Sequence, residues 1–68
     1  MKTFGENLKE IRQSCKLSQK KFAELMNTSQ QRVSEWETNK VEPTLYNIIK
    51  MTKILNVTFE DLIENISL

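Results

Sequence analysis

Apolar residues recur along this chain at three- and four-residue intervals, and short polar signals divide the pattern into five pieces. Phe4, Leu8, Ile11 and Cys15 share one face of a helix over about 3–15. Thr3 opens it, with Glu6 three residues on, the form of a capping box. Ser18 suits the N-cap of a second helix, whose apolar face is Phe22, Leu25 and Met26 around the small Ala23. Asn27 ends it, because asparagine tolerates the left-handed backbone at a helix C-terminus. Ser29 caps a third helix to about Thr38, with Val33 and Trp36 inward, and Asn39-Lys40 breaks it. Thr44, just after Pro43, caps a fourth with Leu45, Ile48, Ile49, Thr52 and Leu55 inward and Asn56 at its end. Thr58 and Asp61 repeat the capping-box pattern for a fifth, which carries Phe59, Leu62, Ile63 and Ile66. Val41 and Val57 are isolated and no Asn-Gly or Asp-Gly turn occurs, so strands gain no support. The expectation is an all-α fold of five short helices.

Composition narrows the function. With 68 residues the chain has room for one domain, 1–68, whose core is small enough that a partner subunit would help. A single cysteine excludes an internal disulfide and favours a reducing compartment; its place on the first apolar face makes Cys15 inert packing. Histidine is absent, which removes the commonest general base and zinc ligand. No nucleophile–base pair, metal cluster or phosphate loop stands out, so the expectation is not an enzyme, with no cofactor and no metal. The longest apolar run is two residues and the N-terminus offers no signal-peptide core, which predicts a cytoplasmic protein.

Charge adds a direction. Residues 1–40 carry eight bases against five acids, and residues 41–68 carry two against four. A basic and an acidic half suggest one side turned to a polyanion. Two helices of eight to ten residues joined by a three- or four-residue turn, over about 18–38, form a helix-turn-helix. The close crossing requires a small residue, supplied by Ala23, while Phe22, Met26, Val33 and Trp36 lock its angle. Gln30, Gln31, Ser34 and Glu35 then face outward on the third helix, with Arg32 beside them. Glutamine can bond adenine bidentately in the major groove, and serine can donate or accept toward several bases. Glu35 can accept from a cytosine amine or orient a neighbouring Gln or Arg. Trp36 belongs to the core, and Glu37 is expected to order the loop that follows it. RNA recognition finds no exposed aromatic stacking set.

Residues 8–63 resemble the Cro and phage-repressor (XRE-like) family of DNA-binding domains. The resemblance rests on Leu17-Ser18-Gln19 leading to Phe22-Ala23, Ser34-Glu35-Trp36-Glu37, Lys40-Val41-Glu42-Pro43-Thr44-Leu45, and Leu55 through Ile63. Asn27 and Asn56 stand where glycine is common, and Thr28 where valine is usual. The resemblance implies a lambda-repressor-like domain whose third helix enters the major groove of double-stranded DNA. Carried over by position, Ser29, Gln30, Gln31, Ser34 and Glu35 would face bases. Gln19, Lys20, Arg32 and Lys40 would hold phosphates. The implied function is a transcriptional regulator, a repressor, binding a near-palindromic operator as a homodimer through the C-terminal helix, with Ile63, Ile66 and Leu68 as its apolar surface. The alternative is a protein-interaction module, such as an antitoxin that also binds its own operator.

Overall fold

The computed structural model describes residues 2–66. Five helices follow in order: α1 (Phe4–Ser14), α2 (Gln19–Met26), α3 (Gln30–Glu37), α4 (Leu45–Leu55) and α5 (Phe59–Ile63). The all-α expectation holds, and each helix starts where its capping residue predicts. Thr3, Ser18, Ser29, Thr44 and Thr58 have extended backbones and accept from the amides of Glu6, Lys21, Arg32, Asn47 and Asp61. Each such cap is worth about 1 kcal/mol against alanine. At Thr3 and Thr58 the acid side chain returns the bond, completing two capping boxes.

The helix ends are as regular as the starts. Lys16, Asn27, Asn39 and Asn56 take positive φ of 55–63° just beyond α1, α2, α3 and α4. After each, the next amide reaches back five residues: Leu17 to Arg12, Thr28 to Ala23, Lys40 to Glu35 and Val57 to Thr52, at 2.9–3.2 Å. These satisfy carbonyls that a helix end would otherwise leave bare. Three of the four positions are asparagine, so a chain with one glycine can still turn sharply four times.

The core comprises Leu8, Phe22, Ala23, Met26, Val33, Trp36, Met51, Leu55 and Leu62, drawn from all five helices. Helix α1 packs on α3 and α5, α2 on α3 and α4, and α4 on α5. Polar ties fix these elements. Asn7, buried in α1, donates to the carbonyls of Leu62 and Glu64 at 2.9 Å each. Asn39 accepts from the Gly5 amide at 3.0 Å and donates to the Thr3 hydroxyl at 2.8 Å, joining the start of α1 to the end of α3. Gly5 is there because nothing larger fits: a Cβ would lie 2.4 Å from the Glu37 carbonyl oxygen. Lys50 donates to the last carbonyl of α2, that of Met26, at 2.7 Å. Lys2 pairs with Glu10, and its backbone forms an isolated bridge to Ile66.

Several positions expected inward lie outside. Leu45, Ile49, Leu25 and Phe59 are exposed, Leu45 at 70%, because their helices turn more of their apolar stripe outward than any neighbour covers. Leu45, Ile49 and Phe59 line a shallow apolar groove between α4 and α5, together with Ile48, Thr52, Val57 and Thr58. Cys15 is also exposed rather than packed. Helix α1 ends at Ser14, so Cys15 leaves the helical phase as its C-cap, its thiol 3.7 Å from the Leu55 carbonyl.

Candidate nucleic-acid interface

The site begins with how α3 is held. Val33, Trp36 and Glu37 are its buried residues, so at ~100° per residue Gln31 and Glu35 lie on the opposite side. Gln30 and Ser34 occupy the edge leading to Glu37, and Arg32 the other edge. Ala23, only 3% exposed, lies where α2 and α3 meet, as the small residue at the crossing requires. Ser29 Oγ accepts from the Arg32 amide at 3.1 Å, which leaves the earlier amides of that turn for solvent or an anion.

Ser29, Gln30, Gln31 and Arg32 are exposed; Ser34 and Glu35 are half-buried. Arg32 Nε lies 3.5 Å from Glu35 Oε1, so the acid here orients the base beside it. Lys20 is exposed in the first turn of α2, and Lys40 is exposed just beyond α3. Among the described residues neither has an ion-pair partner, whereas Lys21 faces Glu24 at 3.9 Å. Gln19 is half-buried and reaches α3: its Nε2 donates to Glu37 Oε1 at 3.0 Å, and its Oε1 faces Gln30 Nε2 at 3.5 Å.

Behind Gln19 lies an ion pair that apolar periodicity alone does not reveal. Arg12 Nε donates to Glu37 Oε2 at 2.6 Å and its Nη2 to Oε1 at 3.2 Å, with side chains 8% and 2% exposed. The third nitrogen, Nη1, donates to the Leu17 carbonyl at 2.7 Å. A fork on a carboxylate, with every nitrogen bonded, is the arrangement in which a buried pair is tolerated. Contrary to the expectation from sequence, Glu37 does not order the following loop: its carboxylate joins α1, α2 and α3, and Asn39 ties that loop to the start of α1. A signal was available. Arg12 stands four residues after Leu8, and Glu37 four after Val33, so opposite charges occupy two core-facing positions.

Residues 8–62 match the model of the helix-turn-helix family. The chain belongs to this family. Among curated proteins it is 34% identical over 61 residues to YonR, an uncharacterized prophage-derived HTH-type transcriptional regulator of Bacillus subtilis (strain 168), covering 90% of this chain and 56% of that protein. It is 30% identical over 60 residues to BcrR, an HTH-type transcriptional activator of Enterococcus faecalis, covering 88% of this chain and 29% of that one. The chain thus spans about half and under a third of these relatives' lengths. Its fold is that of the P22 c2 repressor solved in complex with a synthetic operator: TM-score 0.86, 23% identity, 94% of this chain and 97% of that one. The resemblance to phage repressors read from the residues is thereby borne out for family and for the lambda-repressor-like fold.

Proposed function

We propose that this helix-turn-helix domain binds double-stranded DNA at a preferred sequence and regulates transcription as a repressor, excluding other proteins from the site it occupies. The observation that carries the reading is the outward side of α3. It presents amides, a hydroxyl and the Glu35 carboxylate paired with Arg32 rather than apolar groups, and the remainder of the helix is pinned by Val33, Trp36 and the Arg12–Glu37 pair. In this reading Gln30 and Gln31 bond base edges, with Ser29, Ser34 and Glu35 beside them. Gln19, Lys20, Arg32 and Lys40 contact phosphates. The named relatives are transcriptional regulators, one of them an activator, which supports regulation of transcription without favouring repression. The protein acts by binding rather than by catalysis, in the cytoplasm where the DNA is; no helix among the described residues is long and apolar enough to cross a membrane.

One domain presents too few reading side chains for useful discrimination against a genome, so the functional unit is a homodimer on a near-palindromic site. The expected surface was the C-terminal helix with Ile63, Ile66 and Leu68. Leu68 lies outside the described residues, and Ile66, expected on the fifth helix, instead lies beyond the end of α5 at Ile63 and is half-buried in the bridge to Lys2. Ile63, 39% exposed, stands one turn from Phe59, so the surface extends along α5 onto the groove with Leu45 and Ile49. An uncharged apolar face of this kind marks an interface.

Selection of bound duplexes from a random pool, followed by titration at several salt concentrations, tests the reading. A preferred, near-palindromic sequence is expected. Two subunits each using Lys20, Arg32 and Lys40 give a log–log salt slope of about −5. Lys40→Ala should weaken every sequence alike, and Gln31→Ala should relax one base pair per half-site by about 1–3 kcal/mol. Equal affinity for all duplexes would end the specificity claim. In sedimentation, Phe59→Lys should yield monomers with lowered affinity; one wild-type chain per specific site would end the dimer.

A further inference from the structure

We propose that Glu37, buried where α1, α2 and α3 meet, is a positioning residue that decides which base Gln30 prefers. The proposal rests on the reading that Gln30 faces a base edge. A glutamine amide has two ends of similar shape, one accepting and one donating, and its neighbours choose which faces where. The Glu37 carboxylate can only accept. Its two oxygens take Arg12, and Oε1 also meets Gln19, so only the NH2 end of Gln19 can face it. The Gln19 oxygen is thereby turned toward α3, where only the NH2 end of Gln30 can satisfy it.

The relay thus runs in one sense, with Arg12 and Gln19 both donating to Glu37, and Gln30 donating to Gln19. It leaves Gln30 with one free N–H and its oxygen for the groove. Adenine offers the complement, an acceptor at N7 and a donor at N6, whereas guanine offers two acceptors. Glu37→Gln removes the constraint. Arg12 would hold the oxygen of the new amide, turning its NH2 toward Gln19. Gln19 would then present its oxygen to residue 37 and its NH2 to Gln30. Gln30 would accept inward and offer both N–H groups outward, the arrangement that suits guanine. Only a carboxylate gives the first sense and excludes the second.

The test uses four duplexes differing at the base pair where Gln30→Ala abolishes preference. The expected result for Glu37→Gln is a fall of roughly tenfold in adenine over guanine there, the scale of one bidentate contact. Preference at the base pair read by Gln31, and the salt slope, should be unchanged. A folded Glu37→Gln protein that keeps the wild-type ratio overturns the proposal, as does Gln30→Ala without loss of preference at any position. Wild-type binding that is equal for all duplexes overturns instead the reading on which it rests. Because Glu37→Gln leaves Arg12 without its counter-charge and can unfold the domain, the relay is also measured in the wild-type protein by NMR. Gln19 side-chain amide protons held on a buried carboxylate should be shifted downfield and slow in exchange. Random-coil shifts with rapid exchange would overturn the proposal whatever the variant does.

Discussion

Replacing Gly5 with alanine should destabilise this domain, although alanine is the better helix former. In an exposed helix interior the exchange is worth up to about 1 kcal/mol in favour of alanine. At Gly5 the new Cβ would meet three backbone atoms: the Glu37 carbonyl oxygen at 2.4 Å, its carbon at 2.7 Å and the Trp36 oxygen at 2.7 Å. Backbone at the end of a capped helix cannot rotate away as a side chain would. Restoring ordinary contact at 3.4 Å means separating α1 from α3 by about 1 Å. That movement strains the bond from the Gly5 amide to Asn39 and the two bonds from Asn7 to the end of α5. Overpacking costs about 1–3 kcal/mol and each weakened hydrogen bond about 1 kcal/mol. With the helix gain subtracted, the net loss is about 3–5 kcal/mol. For a domain of this size it should lower Tm by about 12–40 °C. Thermal unfolding followed by circular dichroism, with urea titration for the free energy, measures it. A Gly5→Ala protein as stable as wild type would refute the reasoning, since α1 would then not rest against the α3 backbone.

Two further substitutions probe the frame that carries α3. Trp36→Ala removes a core aromatic that is 2% exposed and should cost about 3–5 kcal/mol in urea unfolding; a well-folded variant would contradict the helical phasing of α3. Asn56 holds φ 55° at the end of α4, so Asn56→Gly should be neutral or slightly stabilising in the same assay. Asn56→Ala should lose about 1 kcal/mol, and equal stability of the two variants would remove the left-handed explanation.

The start of every helix, and the stops of α2, α3 and α4, were legible because those signals act within a few residues; the ends of α1 at Ser14 and of α5 at Ile63 were not. A threonine or serine oxygen meets an amide three positions on, and asparagine adopts positive φ through its own short side chain. The buried set Leu8, Phe22, Val33, Trp36 and Leu62 was legible too, since apolar spacing reveals which side of a helix avoids water. The outward positions of α3 followed from the same phasing. Tertiary structure decided what depends on partners distant in the chain. Periodicity marks Ile49 and Phe59 as apolar but not whether a neighbour is long enough to cover them, and none among the described residues is. Nothing local joins Gly5 to the Glu37 backbone, or Asn7 to the carbonyls of Leu62 and Glu64. Arg12 and Glu37 are 25 residues apart; each alone looks like a surface charge, and only the crossing of α1 with α3 makes them a buried pair. Which way the Gln19 and Gln30 amides point is set by that pair, because a carboxylate fixes the direction of a hydrogen bond only for groups the fold brings within reach of it.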